Sequence, residues 1–183
     1  MPELVVIFGP IASGKSTIAD AVGGLFRVAG RRVAVLDVDD VVDTIGGFGD
    51  LTPASFQHAQ VVFGELVGAW LRQRFDVIAH GPFFQRDELD ALLHAVPHGI
   101  EPRRVQLVAT YEAALERVAL DSSRGLSKDP ELLRLTYDRV ESLLPTMPPS
   151  EWTFDTTATS CQEIIDALAA ALVPTDRARR PIA

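Results

Sequence analysis

The chain has 183 residues, 17 basic against 25 acidic side chains for a formal net charge of −8, and 47% hydrophobic content. That composition excludes a disordered chain, a collagen and a coiled coil, and the acidic balance argues against a nucleic-acid-binding face. The single cysteine, Cys161, excludes an internal disulfide.

The elements read in order as follows. Leu4-Val5-Val6-Ile7-Phe8 is a continuous apolar run, the mark of a strand buried on both faces. Glycines follow, and then Ile18, Ala21, Val22, Leu25 and Phe26 recur at helical spacing up to Gly30. A second strand covers 32–36 and runs into the acids Asp37, Asp39, Asp40 and Asp43, of which Asp40 is expected to cap the next helix. Thr52-Pro53 opens a long helix by cap and N1 proline, through Phe56, Phe63 and Trp70. Residues 76–79 form a third strand ending at His80-Gly81-Pro82, and a short helix carries Leu89, Leu92 and Leu93. A fourth strand covers 104–109, and Thr110 caps the helix through Leu115 and Val118. After a polar loop, Asp129-Pro130 starts a helix that Pro145 stops. Residues 152–154 make a fifth strand, and Ser160-x-x-Glu163 is a capping box for the last helix.

Strands alternate with helices throughout, which predicts one α/β domain over 1–173: a five-stranded parallel sheet between two helical layers. Residues 174–183 show no apolar period and are expected to form a flexible tail. No stretch approaches the roughly 20 apolar residues that cross a bilayer, and no signal-peptide pattern is visible. A cytoplasmic protein with no membrane partner is the expectation, while oligomeric state is unreadable.

Gly9-Pro10-Ile11-Ala12-Ser13-Gly14-Lys15-Ser16-Thr17 satisfies G-x-x-x-x-G-K-[ST] between a strand and a helix. Such a loop turns backbone N–H groups toward phosphate oxygens at the positive end of a helix. Gly9, Ala12, Ser13, Gly14, Lys15, Ser16 and Thr17 are therefore the candidate nucleotide contacts. Lys15 reaches the β- and γ-phosphates, and the Ser16 hydroxyl binds Mg²⁺. The chain has only two lysines, Lys15 and Lys128, which makes this placement more telling. Phosphate-loop proteins also need a carboxylate near the metal, and Asp37 and Asp39 stand at the end of an apolar strand. Either can hold a metal-bound water or accept the proton of an attacking hydroxyl.

The loop together with Leu36-Asp37-Val38-Asp39-Asp40 resembles the small P-loop kinases of the adenylate-kinase-like class, within the P-loop NTPase fold. Val38-Asp39-Asp40-Val41-Val42-Asp43 is most similar to the chloramphenicol phosphotransferase-like family, and Leu36-Asp37-x-Asp39 also resembles adenylylsulfate kinase. The resemblance implies ATP and Mg²⁺, a hydroxyl-bearing small-molecule acceptor, and Asp39 as the base, with Asp37 or His80 as alternatives. It implies that Phe154-Asp155-Thr156-Thr157 lies beside the adenine, which makes Thr156 and Thr157 nucleotide contacts. It also implies a small lid at about 120–130. There Arg117 stacks on adenine or clamps a phosphate, and Arg124 stabilises the transferred phosphoryl group. The third strand ends in His80 where relatives often carry an acid. His80, Phe83 and Arg86, at the carboxyl edge of the sheet, are the acceptor-pocket candidates.

Residues 39–70 contain no Arg or Lys, which favours a neutral or cationic acceptor over a phosphorylated one. A nucleoside kinase and an ATPase module acting through a protein partner are the rival readings. A guanine switch is disfavoured because neither lysine lies in an Asn-Lys-x-Asp segment, and an AAA-type assembly motor because the chain is short.

Overall fold

The computed structural model describes residues 1–49, 51–120 and 128–173. Their strands are β1 (Leu4–Phe8), β2 (Val33–Asp37), β3 (Asp76–Gly81), β4 (Pro102–Val108) and β5 (Trp152–Asp155). The helices are α1 (Lys15–Val28), α2 (Val38–Asp43), α3 (Pro53–Arg72), α4 (Arg86–Leu93), α5 (Tyr111–Leu120), α6 (Pro130–Leu143) and α7 (Cys161–Leu172). The sheet is parallel in the order β2-β3-β1-β4-β5. This is the P-loop NTPase arrangement, with helices on both faces.

Central β1 explains its own composition. Leu4, Val6 and Phe8 point into the layer of α2, α3 and α4, whereas Val5 and Ile7 point into that of α1 and α7. Alternate residues of a strand face opposite ways, so a strand covered on both sides must be apolar throughout. All five are fully buried, and each such side chain contributes roughly 1.5–3 kcal/mol.

Caps fix where the helices begin. Thr52 and Ser55 close a reciprocal box ahead of Pro53, Asp129 accepts from the N–H groups of Glu131 and Leu132, and Ser160 pairs with Glu163. The cap after β2 differs from expectation. Asp37, not Asp40, caps α2, because β2 passes into the helix with no loop between them. α6 ends at Leu143, ahead of Pro145 as expected, and the proline sits within a following 3₁₀ turn, Leu144–Thr146.

Two packing features hold the layers in register. Gly64 and Gly68 of α3 lie against α4 and the chain after it, where a Cβ would fall 2.4 Å from the Ala91 carbonyl oxygen and 2.3 Å from that of Ala95. At the amino end of the sheet, buried Asp76 accepts from Glu3 N (2.8 Å) and Arg31 Nε (2.7 Å). Arg31 also covers the Phe26 ring at 3.9 Å and donates to the Leu172 carbonyl, so one guanidinium joins β3, α1 and α7. No helix among the described residues is long and apolar enough to cross a membrane.

Candidate active site

The loop after β1 is shaped by close approach. A Cβ on Gly9 would lie 2.5 Å from the Leu107 carbonyl oxygen and 2.7 Å from Ser13 Oγ, so only hydrogen fits there. Ala12 and Gly14 adopt left-handed conformations, with φ of 59° and 90°. No side chain caps α1, and its first internal bond runs from Ile18 N to Gly14 O (3.0 Å). The N–H groups of its first turn, around Ser16 and Thr17, therefore lie at an open, positively polarised helix end. Lys15 Nζ donates to the Pro10 carbonyl (2.9 Å), folding back over the loop. Ser13 is 1% exposed, and its hydroxyl has no protein partner among the described residues.

The carboxyl ends of β2 and β3 bring the acids and the histidine together. Asp37 and His80 are register partners across the ladder, and Asp37 Oδ2 lies 3.4 Å from His80 Nδ1. Asp37 Oδ1 accepts from Asp39 N (3.0 Å). Asp39 is largely buried, and its Oδ1 has no hydrogen-bond partner among the described residues. Burial first, and then the Asp37 charge, push its carboxyl up to about 6; Lys15 opposes the shift, while Asp43 and Asp40 add to it. A carboxylate in this range ionises near neutrality and still has an appetite for a proton. His80 moves the other way. Burial lowers its pKa and Lys15 assists, against the opposing charges of Asp37, Asp20 and Asp40. Burial thus favours the neutral imidazole.

The opposite wall is built by Arg117, which donates to the Ala12 carbonyl (2.9 Å), to Thr156 Oγ1 (3.0 Å) and to the Thr156 carbonyl (2.6 Å). Thr157 Oγ1 accepts from Thr110 N (2.9 Å), tying the loop after β5 to the end of β4. Arg117 and the two threonines therefore converge beside the loop, with three of the arginine's five N–H groups donating to protein atoms. Sequence reading passed over Tyr137, whose hydroxyl donates to the Ile11 carbonyl (2.8 Å). The available signal was a tyrosine in the apolar stripe of α6, since a buried phenol needs a polar partner for its tip.

Other candidates fall elsewhere. Phe83 is fully buried, packed against Phe63 with ring centroids 6.0 Å apart, so it belongs to the core rather than to an open pocket wall. Arg86 projects into solvent, 79% exposed and 3.9 Å from Asp90. Arg124 and most of the expected lid lie outside the described residues. A cavity of about 310 Å³ opens beside Pro10, Thr110, Tyr111 and Tyr137, but neither Asp39 nor His80 lines it.

The donor set suits magnesium. No group of three or more His, Cys, Asp or Glu is placed to hold a metal among the described residues. Magnesium characteristically takes one or two protein oxygens and fills its remaining positions with phosphate oxygens and water. The Ser16 hydroxyl and the Asp37 carboxylate are hard oxygen donors of that kind.

Loop, helix end and strand order define a P-loop NTPase of the α/β type. Within that class, residues 4–131 match the family described as an AAA domain, and the chain belongs to it. The match covers the phosphate-loop core; the rest of α6, β5 and α7 complete the same sheet and its layers. A sugar kinase from Janibacter sp. HTCC2649 superposes with a TM-score of 0.69 at 19% identity, over 98% of this chain and 100% of that one. A gluconokinase from Sinorhizobium meliloti 1021 gives 0.66 at 20% identity, over 93% and 91%. A shikimate kinase from Acinetobacter baumannii, in complex with shikimate, gives 0.64 at 19% identity, over 96% of each chain. At such identities the likeness is one of fold. No curated protein sequence matches the chain.

Proposed function

We propose that the protein is a kinase that moves the γ-phosphate of ATP to a hydroxyl of a small molecule. The observation that carries this reading is Asp39: a partly buried carboxylate with one buried, unpartnered oxygen, held near Lys15 and with its pKa raised to about 6. A group of that kind has no structural bond to lose when it takes a proton. In the proposed reaction Asp39 accepts the proton of the acceptor hydroxyl, whose oxygen attacks the γ-phosphorus while the bond to the β-phosphate oxygen breaks. Lys15 and the first-turn amides of α1 neutralise the phosphates. Asp37 keeps Asp39 in place through the Asp39 N–H, and His80 lies against Asp37. Ser16 and Asp37 would hold Mg²⁺, which supplies charge neutralisation on the phosphate oxygens.

Structural neighbours that are sugar, gluconate and shikimate kinases support the same reading. The closer kinship to the chloramphenicol phosphotransferase-like family, with Arg124 as the transition-state arginine, is part of the proposal. α2 and α3 carry no cation before Arg72, and Arg86 points away, which favours a neutral or cationic acceptor. The test is ATP turnover with and without a library of hydroxylated compounds, followed by mass measurement of the acceptor. A kinase is stimulated by its acceptor and adds a phosphoryl mass to it. Turnover indifferent to every hydroxyl but stimulated by a protein partner would assign an ATPase module instead.

A further inference from the structure

The carbonyls of the phosphate loop are held in a way that its sequence motif does not encode. Ile11 O accepts from Tyr137 of α6 (2.8 Å), and Ala12 O accepts from Arg117 of α5 (2.9 Å). Tyr137 belongs to a small apolar cluster in which Ala12, Ala114, Val118 and Leu133 pack with Ile11, and Arg117 lies on α5 between Ala114 and Val118 of that cluster. Arg117 is fixed at its other end as well. Its guanidinium also donates to Thr156 Oγ1 and O, and Thr156 in turn donates to the Val108 carbonyl through N (2.8 Å) and Oγ1 (3.2 Å). The Ala12 carbonyl is thus tied to the β4–β5 edge of the sheet.

This tie falls where the loop most needs it. Ala12 has a side chain and a φ of 59°, a conformation that costs a non-glycine residue roughly 1–2 kcal/mol. An anion-binding nest requires that the peptide N–H groups face the ligand and the carbonyls face away. A carbonyl turned inward would oppose a phosphate oxygen with its own partial negative charge.

We propose that Arg117 and Tyr137 are positioning residues for the triphosphate. They hold the Ala12 and Ile11 carbonyls away from the anion, so the loop amides are already aimed before nucleotide arrives. Arg117 then acts on phosphate affinity through the loop, whichever base is attached. This rests on the reading of the loop as a triphosphate site, and it differs from an arginine that acts only through the adenine.

Magnesium tripolyphosphate, which has no base, separates the two roles. Affinities of the wild-type chain, Tyr137→Phe and Arg117→Met for magnesium tripolyphosphate and magnesium ATP are measured by calorimetry. The expected result is a loss of about three- to tenfold per variant, equal for the two ligands, as suits one hydrogen bond per carbonyl. Arg117→Lys, which keeps the charge but not the fork, should recover little of the loss. Unchanged tripolyphosphate affinity in both Tyr137→Phe and Arg117→Met, with or without weaker ATP binding, overturns the proposal. Tyr137→Phe removes one oxygen from a packed ring and decides the matter alone should an Arg117 variant fail to fold. A wild-type chain that binds neither ligand overturns the triphosphate site itself.

Discussion

Replacing Asp39 by asparagine should make the ligand-free protein more stable while disabling it. The folded state raises the Asp39 pKa from its ordinary 3.8 to about 6. A raised carboxylate pKa means that the folded chain holds the proton more tightly than the unfolded chain does. Between 3.8 and 6 the folded state carries the extra proton, so stability falls as pH rises through that window. Below the window there is no penalty; above it the full shift applies, about 3 kcal/mol at 1.36 kcal/mol per unit. The two-state linkage expression gives a penalty of about 1 kcal/mol at about pH 4.5 and about 3 kcal/mol at about pH 8. Asparagine keeps the shape and removes the charge. The stability difference between Asp39→Asn and wild type should therefore grow by about 2 kcal/mol across that range. Urea unfolding of both proteins with EDTA and without nucleotide measures it, and carboxylates distant from Asp39 cancel in the difference. A difference that stays flat with pH, or a variant less stable than wild type at pH 8, would refute the idea that Asp39 is held ionised against burial. In the same preparation, phosphoryl transfer should fall by about 10²–10⁴ with nucleotide affinity retained, since general-base contributions have that size.

Three further outcomes follow from the packing and the loop. Lys15→Ala should abolish phosphoryl transfer and weaken magnesium ATP, read by calorimetry and by single-turnover labelling, because it removes the cation folded over the Pro10 turn of the loop. Gly68→Ala should destabilise by about 1–3 kcal/mol, since its Cβ would fall 2.3 Å from the Ala95 carbonyl oxygen. Helix propensity alone predicts a gain of about 1 kcal/mol, so the sign of the shift in thermal midpoint discriminates. Asp76→Ala should cost about 1.5–3 kcal/mol in urea unfolding, because Arg31 loses one of its two carboxylate partners and Glu3 N loses its acceptor.

The features readable from sequence are those whose cause is local. A run such as Leu4–Phe8 declares a doubly covered strand by itself, and Thr52-Pro53, Asp129-Pro130 and Ser160-x-x-Glu163 each contain both halves of a cap. The phosphate loop is legible for the same reason: glycine, lysine and hydroxyl all lie within nine consecutive residues. Where a side chain's role depends on what the fold brings beside it, the pattern is silent. An aromatic just past a strand end resembles a pocket wall, yet α3 lies over Phe83 and Phe63 closes on it. Asp40 looks like a better cap than Asp37 only if a loop separates strand from helix, and the chain spends no residue on one.

The same distinction explains why the candidate site combines a readable half with an unreadable one. Lys15, Asp37 and Asp39 belong to β1–α1 and β2–α2, two neighbouring segments whose chemistry is written in contiguous residues. Their environment is not. His80 meets Asp37 only because β3 inserts between β2 and β1, and the raised Asp39 pKa arises first from burial, which no motif specifies. Arg117 illustrates the point from the other wall. As a basic residue near an expected lid it suggests a nucleotide contact, whereas its observed partners are Ala12 and Thr156, far apart in sequence. A phosphate loop tells where the anion goes; the distant residues that hold its carbonyls and bury its neighbouring acid determine how tightly it binds and when the base is charged.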